Sequence, residues 1–195
     1  ALSVLGRHSE SKALYERVLN APCPMLMDCD MAEQLSKLDD VAVEALHLNQ
    51  IDEAITLYKK MEVLLSDASF TEKDRYQLYN GLANAYRRQG NFEEARRYVE
   101  RAIASSPEKP SRMSMVLDTA AEIELDAKQY DKALVFNELS FGYELGDDSV
   151  VYRETMKARI LHAMQRDKEA CATLEPAIAR AAKGNDIRTN PGISV

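Results

Sequence analysis

Side chains that could bind a ligand recur one helical turn apart in two segments of the chain. Asn80 and Asn84 are four residues apart, so a helix would place both carboxamides on one face. Because each carboxamide carries donors and acceptors, the pair could hydrogen-bond both edges of an extended peptide backbone. In the second segment, Asp118, Glu122 and Asp126 form an acidic row at the same spacing. Both segments suit recognition of a partner.

The acidic row carries an electrostatic cost. Like charges four residues apart on a helix repel by about 0.2–0.5 kcal/mol for each pair. We therefore expect either Arg87 and Arg88 on the neighbouring helix or a basic partner to offset this repulsion. Pairing with adjacent helices, together with ordinary solvation, is the alternative that needs no ligand.

The sequence contains no pattern of a catalytic or cofactor site. Its seven glycines never form a phosphate-binding loop, and the signatures of serine and cysteine nucleophiles are absent. His8, His47 and His162 lie far apart in sequence and outside zinc-protease motifs. We therefore predict that the chain is not an enzyme and has no catalytic residue, no cofactor and no metal site.

Three cysteines cannot all pair with one another. Cys23 and Cys29 are spaced more widely than structural zinc sites prefer, and no further ligands stand out. We expect both to lie near a loop, and Cys171 to be a small buried apolar residue. The odd count favours a reducing compartment such as the cytoplasm. An extracytoplasmic segment of a membrane sensor is the alternative.

Composition argues against two kinds of partner. A net charge of −7 over 195 residues opposes an electrostatic grip on phosphate backbones, so we expect no nucleic acid. No apolar run reaches the roughly 18 residues that span a bilayer, so we expect no direct membrane insertion. The chain begins at Ala1 without a methionine and within a predicted repeat, which indicates a trimmed fragment or a processed product.

Hydrophobic periodicity predicts that helices position all of these side chains. Apolar residues recur at three- and four-residue spacing, and clusters of glycine, proline and polar residues separate the runs. The predicted helices span about residues 9–20, 30–48, 51–66, 74–89, 92–105, 112–127, 130–145, 149–165 and 167–183. The pattern stops at residue 184, which predicts a flexible C-terminal tail over residues 184–195.

The stretch 79–107 carries the most informative pattern. It predicts two short helices that turn at Gly90-Asn91, with alanines where the backbones approach and a proline that ends the second helix. The residues that carry the pattern are Tyr79, Leu82, Ala83, Tyr86, Ala95, Ala102 and Pro107. At this spacing the stretch resembles the tetratricopeptide repeat, a helix–turn–helix unit of about 34 residues. Val99 stands where that family more often has an aromatic residue.

A small residue marks the second helix of each predicted pair. It recurs at Ala54, Ala95, Ala133 and Ala170, with a weaker echo at Ala13, so successive spacings are 41, 41, 38 and 37 residues. These spacings indicate degenerate, elongated repeats. The resemblance implies an all-α fold, a right-handed α–α superhelix of four to five helix pairs. This repeat domain would cover residues 1–183, with units of about 1–29, 30–70, 71–110, 111–147 and 148–183.

The resemblance also implies a binding surface. In tetratricopeptide arrays the first helix of each pair lines the concave side, and a fixed set of its positions faces a ligand. The residues at such positions that we nominate are Gln77, Asn80, Asn84, Arg87, Arg88, Asp118, Glu122, Asp126 and Arg159. The subclass that clamps a terminal carboxylate uses lysines where this chain has Asp39, Asn80 and Asp118, so we do not expect that activity.

These observations predict a non-catalytic scaffold that binds a peptide or helix of a partner protein in the concave groove. The alternative is a ligand- or partner-sensing regulatory segment of a larger signalling protein, such as a sensor kinase or a transcription regulator. A homodimer through an end helix is a further alternative. The predicted helix 167–183 carries Leu174, Ile178 and Ala181 on one face, which would need a cap or a partner.

Overall fold

The structure, a computed structural model, describes residues 6–19, 31–65, 72–105, 110–143 and 147–189. Within these ranges every regular element is a helix, which confirms the all-α prediction. The helices are α1 (His8–Leu19), α2 (Met31–His47), α3 (Ile51–Leu64), α4 (Glu72–Gln89), α5 (Phe92–Ala104), α6 (Pro110–Asp126), α7 (Tyr130–Ser140), α8 (Asp147–Ala163) and α9 (Asp167–Thr189). Cys23 and Cys29 lie outside the described residues.

The chain divides into two compact units, Ala1–Ser106 and Pro107–Val195. In the first unit, α1 packs on α2, α2 on α3, α3 on α4 and α4 on α5. In the second unit, α6 packs on α7, α7 on α8 and α8 on α9. Within each unit, consecutive helices therefore pack against one another, as in helical-repeat proteins. The subdivision into five repeat units stays a prediction.

Four turns within the helix pairs share one backbone geometry. In each turn one residue has a left-handed φ and the next donates its backbone N–H to a carbonyl five residues earlier, at 2.8–2.9 Å. The left-handed residues are Asn49 (60°), Gly90 (83°), Lys128 (60°) and Gln165 (62°). Glycine suits this position because it has no Cβ to clash with the backbone. The repeat is thus visible in the backbone even where the turn lacks glycine.

Small residues at the helix contacts build the core of the first unit. Ala83, Ala95 and Ala102 are fully buried, at the positions where the sequence pattern predicts close approach. Gly81 is needed for a different reason. A Cβ at this position would lie 2.5 Å from Cζ of the buried Tyr58 ring, so only glycine lets α3 approach α4 this closely.

Two helix ends differ from the prediction. α7 ends at Ser140 instead of near residue 145, because the N–H groups of Phe141 and Gly142 bond to carbonyls three residues earlier and close tight turns. α9 continues to Thr189, so the predicted tail is wrong over residues 184–189. Gly184 lowers helix propensity by about 1 kcal/mol relative to alanine but does not prevent a helix. Residues 190–195 lie outside the described part of the chain.

Candidate functional site

The residues nominated in the first unit lie on α4, and two of them contact α2. Gln77 donates from Nε2 to Oδ2 of Asp39 at 3.0 Å. Arg88 donates from Nη1 to the backbone carbonyl of Leu46. These bonds hold α2 and α4 side by side within the unit. We call the surface they share the α2–α4 face, defined by Asp39, Gln77, Asn80, Asn84, Arg87 and Arg88.

Asn80 and Asn84 are both half-buried on this face, but their carboxamides differ in hydrogen bonding. Oδ1 of Asn84 accepts from Arg87, at 3.2 Å from Nε and 3.0 Å from Nη2. Oδ1 of Asn80 is buried and has no hydrogen-bond partner among the described residues. A buried acceptor without a donor costs about 1–3 kcal/mol. A donor supplied by a ligand would recover that loss.

Asp39 has the most strongly perturbed carboxyl group on the α2–α4 face. Burial, with a smaller contribution from the neighbouring charge of Asp40, raises its pKa to about 6, although the hydrogen bond from Gln77 acts in the opposite direction. Burial and then the charge of Asp39 raise the pKa of Tyr58, whose hydroxyl therefore stays neutral. At neutral pH the Asp39 carboxylate is thus charged in a poorly solvated position, where a cation would be attracted.

In the second unit the nominated acidic residues of α6 are engaged by α8. Arg153 is 2% exposed and donates to both oxygens of Asp118, at 2.8 Å from Nε and 2.6 Å from Nη2. Burial raises the pKa of Asp118, while Arg153 counteracts this rise. Glu122 accepts a 2.8 Å hydrogen bond from the hydroxyl of Tyr152. Pairing with residues of α8 therefore offsets part of the repulsion within the acidic row, which agrees with the alternative that needs no ligand. Asp126, the third member, is exposed.

Arg159, the nominated residue of α8, is exposed and borders a cleft between α8 and α9. The cleft has a volume of about 390 Å³ and mostly apolar walls. The side chains that line it with Arg159 are Thr155, Ala158, His162, Asp167, Ala170, Cys171 and Leu174. Arg159 therefore lies at a different kind of surface from the paired acidic residues of α6.

Cys171 is exposed and free, so the prediction of a buried thiol is wrong. The preceding residue, Ala170, is buried and packs with Ala158 and Leu161. Adjacent residues on a helix differ in direction by about 100°, so burial of Ala170 turns Cys171 outward.

Three side chains that the sequence analysis did not bring together meet in the first unit: His8, Glu44 and His47. His8 on α1 lies 2.7 Å from Glu44 on α2, measured from Nδ1 to Oε2, and His47 lies 3.8 Å from the same oxygen. The available sequence signal was the Glu-x-x-His spacing of Glu44 and His47, which places both on one helical face. Only the packing of α1 on α2 brings His8 to them.

Comparison with protein families identifies one segment, most of which lies in the first unit. The family model of the tetratricopeptide repeat matches residues 76–109, which contain α5 and most of α4. Residues 76–109 are therefore similar to a tetratricopeptide repeat. The matched segment coincides with the stretch whose alanines, glycine turn and proline carry the sequence resemblance. No protein with a curated description matches the sequence.

Solved structures extend this likeness over the chain. BtubC (BKLC) from P. vanneervenii has a TM-score of 0.76 at 16% identity, covering 100% of this chain and 81% of that chain. A putative kinesin light chain from Podosopora anserina, with nearly identical TPR-like repeats, has a TM-score of 0.68 at 20% identity, covering 98% and 92%. A thermophilic TPR protein from Thermus thermophilus has a TM-score of 0.65 at 20% identity, covering 96% and 90%. The predicted helical-repeat fold is confirmed.

The tetratricopeptide fold is one that supports protein–protein interaction. Stacked helix pairs expose extended surfaces, and proteins with this fold generally act as non-catalytic scaffolds. None of the described helices is long and apolar enough to cross a membrane.

Proposed function

We propose that this helical-repeat protein is a non-catalytic scaffold that binds an extended peptide of a partner protein along the α2–α4 face. The observation that carries the proposal is the carboxamide of Asn80, whose Oδ1 is buried without a donor among the described residues. Asn84 lies one turn further along the same helix. The residue Asn80 is itself half-buried, so rotation of its amide would bring polar atoms to the surface.

The spacing of the two carboxamides fits an extended backbone. Four residues of helix rise about 6 Å. Two residues of an extended strand advance about 6.6–6.8 Å. Asn80 and Asn84 would therefore meet backbone groups two residues apart in a peptide that runs along α4. Because each amide both donates and accepts, it can pair with an N–H and a C=O, largely independently of the peptide's side chains.

Asp39 indicates which side chain the peptide would place beside these amides. Its carboxylate lies against α4 through Gln77 and is poorly solvated, so a lysine or arginine would gain more there than at an open surface. A partner segment that ends in a free carboxylate would instead be repelled by Asp39. We therefore propose an internal, basic peptide segment as the ligand.

The experiment is a pull-down from lysate of the source organism with three immobilised baits. The first bait is the wild type and the second is the Asn80→Ala, Asn84→Ala double variant. The matched control is Lys60→Ala, Glu100→Ala, which changes two exposed residues on α3 and α5. Mass spectrometry identifies captured proteins, and calorimetry then measures binding of synthetic peptides from them.

We expect the wild type and the control to capture a protein that the double variant loses. A basic peptide of that protein should bind the double variant at least about tenfold more weakly, since two hydrogen bonds of about 1 kcal/mol each are removed. Equal capture by all three baits, or equal peptide affinities, would move the binding site away from the α2–α4 face.

The predicted homodimer through α9 stays a second proposal, supported by one exposed residue. Leu174 packs against the cluster of Ala158, Leu161 and Ala170, whereas Ile178 is 66% exposed on the same helix. The side chain of Ala181 lies outside the described residues. Sedimentation of the wild type should show a concentration-dependent dimer that Ile178→Asp abolishes. A wild type that stays monomeric at high concentration contradicts this proposal.

A further inference from the structure

A cluster of potential metal ligands lies at the contact between α1 and α2. Ligand atoms of His8, Glu44 and His47 all lie within 4.8 Å of one another. Oε2 of Glu44 is 2.7 Å from Nδ1 of His8 and 3.8 Å from Nδ1 of His47. Two ligands of tetrahedral Zn²⁺, each about 2.0–2.1 Å from the ion, lie about 3.3 Å apart. The two observed separations lie on either side of this value, so small side-chain movements would bring all three ligands to one ion.

The carboxylate at the centre of the cluster is buried and oriented. The side chain of Glu44 is 3% exposed, and Ser11 donates from Oγ to Oε1 at 3.0 Å. This hydrogen bond fixes the plane of the carboxylate with Oε2 towards both imidazoles. Residues that bind metals are commonly held by such supporting hydrogen bonds. A buried carboxylate attracts positive charge, and a divalent cation is one source of it.

The two imidazole rings are arranged so that both can act as ligands. Their centroids are 4.3 Å apart with an angle of 42° between the ring planes. Imidazole nitrogens are common metal ligands, and two rings this close can share one cation through Nδ1. The side chain of His47 is 46% exposed and that of His8 is 27% exposed, so solvent reaches the ligand atoms. Water could therefore fill a fourth coordination position.

From these distances we propose that His8, Glu44 and His47 bind a divalent transition metal of the Zn²⁺ class. Two imidazole nitrogens and one carboxylate oxygen suit Zn²⁺ and its neighbours in the transition series. Ca²⁺ and Mg²⁺ favour sites built entirely from oxygen. Because His8 is the first residue of α1 while Glu44 and His47 lie in α2, the ion would tie α1 to the rest of the first unit.

The direct test uses the full chain, stripped of metal by dialysis against a chelator and titrated with zinc chloride. Calorimetry measures affinity, and elemental analysis after equilibrium dialysis measures stoichiometry. We compare His8→Gln and His47→Gln with the wild type. His162→Gln is the matched control, because it also removes a histidine that lies 2.7 Å from a carboxylate, that of Asp167, in the second unit.

We expect one tightly bound Zn²⁺ per chain in the wild type and in His162→Gln. In His8→Gln and His47→Gln the affinity should fall at least about tenfold, because a two-ligand site remains. Calcium and magnesium chloride should not displace the ion. A wild type that holds no zinc overturns the proposal. Equal losses in all three histidine variants would also overturn it, since they would mean diffuse binding by surface histidines.

Thermal unfolding gives an independent readout. Zn²⁺ in about 100-fold excess over its Kd should raise the Tm of the wild type and of His162→Gln by several degrees, since it binds the folded state. It should raise the Tm of His47→Gln by at most about half as much, because a site at least tenfold weaker is stabilised by no more than RT ln 11 instead of RT ln 101. His47 is exposed, so this variant should fold, and circular dichroism checks that its helix content matches the wild type. An equal rise in Tm for His47→Gln would count against the site.

Discussion

α4 in the first unit and α6 in the second carry polar residues at corresponding repeat positions, with different results. Asn80 corresponds to Asp118, and Asn84 corresponds to Glu122. On α6 both acidic residues are engaged by α8, Asp118 by the buried Arg153 and Glu122 by Tyr152. On α4, the Asn80 acceptor has no partner among the described residues. The same repeat position can therefore serve the fold or remain available for a ligand.

The neighbouring helices explain this difference. The core of the second unit contains polar groups: Asn137 and Ser140 of α7 are fully buried, and Asn137 donates to the backbone carbonyl of Arg153 at 3.3 Å. The corresponding positions of α5 in the first unit are Val99 and Ala102, whose side chains are apolar and buried. A polar interior in the second unit requires internal partners, and Asp118 is one of them. The apolar side chains at these positions of α5 make no such demand on α4.

The largest expected effect comes from variants at the two corresponding positions, Asp118 and Asn80. Asp118→Ala leaves the buried guanidinium of Arg153 without its carboxylate, so the free energy of unfolding should fall by about 3–5 kcal/mol. Asn80→Ala at the corresponding position removes a buried acceptor without a partner among the described residues, so relief of its cost of about 1–3 kcal/mol should offset the lost packing and leave no net loss of stability. Urea denaturation followed by circular dichroism measures both. Similar losses for the two variants would show that Asn80 is structural, which would remove its role in peptide binding.

A second variant tests what shapes the α2–α4 face. In Gly81→Ala the new methyl group would meet the buried ring of Tyr58, so the ring or α4 must move. Overpacking of this kind costs about 1–3 kcal/mol, and the better helix propensity of alanine returns about 1 kcal/mol. We expect a net loss of roughly 1–2 kcal/mol in urea denaturation.

The double variant Gly81→Ala, Tyr58→Leu is the control for this mechanism. Leucine lacks the ring atoms that the methyl group would meet, so the loss due to Gly81→Ala should be smaller in the Tyr58→Leu background. Strict additivity of the two changes would mean that the contact does not limit the approach of α3 to α4.

The sequence predicts the helices and the central repeat well because both depend on local pattern. Apolar residues at three- and four-residue spacing mark the helix positions, and alanines 83, 95 and 102 are fully buried where close approach is predicted. The helix ends were less predictable. Gly184 suggested a stop, but α9 continues through it to Thr189.

The polar partners depend on packing and were not predictable from spacing alone. Arg153 carried no signal that distinguished it from a surface residue, yet it is buried and pairs with Asp118. His8 joins Glu44 across 36 residues only because α1 packs on α2. Similarly, the burial of Ala170 decides the exposure of Cys171. Helical periodicity fixes which residues share a face, whereas the neighbouring helix decides what that face contacts.

The pH dependence of stability sharpens the comparison at Asp39. Its pKa is raised from 3.8 to about 6 in the folded state, so between these values the folded chain binds more protons than the unfolded chain. The free energy of unfolding therefore falls as pH rises through this window. Asn at this position does not ionise, so Asp39→Asn should remove this fall in the free energy of unfolding. The variant should be more stable than the wild type by on the order of 1 kcal/mol at pH 7.5 and no more stable near pH 3.5.

Urea denaturation at several pH values measures this effect, and Gln77 provides its control. The hydrogen bond from Gln77 lowers the pKa of Asp39, so Gln77→Ala should move the carboxyl's midpoint upward in an NMR titration. A gain for Asp39→Asn that is equally large at pH 3.5 would contradict ionisation as the cause. It would point to better packing of the amide instead.

The smallest expected effects concern the turns, where the two units use one geometry with different residues. Gly90 between α4 and α5 has a φ of 83°, and Lys128 between α6 and α7 has a φ of 60°. A left-handed conformation costs a residue with a Cβ about 1 kcal/mol relative to glycine. Gly90→Ala should therefore lower the free energy of unfolding by about 1 kcal/mol, and Lys128→Gly should raise it by a similar or smaller amount. Urea denaturation of the two variants would show opposite signs if the turns are equivalent. A loss of stability in Lys128→Gly would instead mean that the side chain of Lys128 makes stabilising contacts in the second unit. Gly90 has no side chain to make such contacts in the first unit.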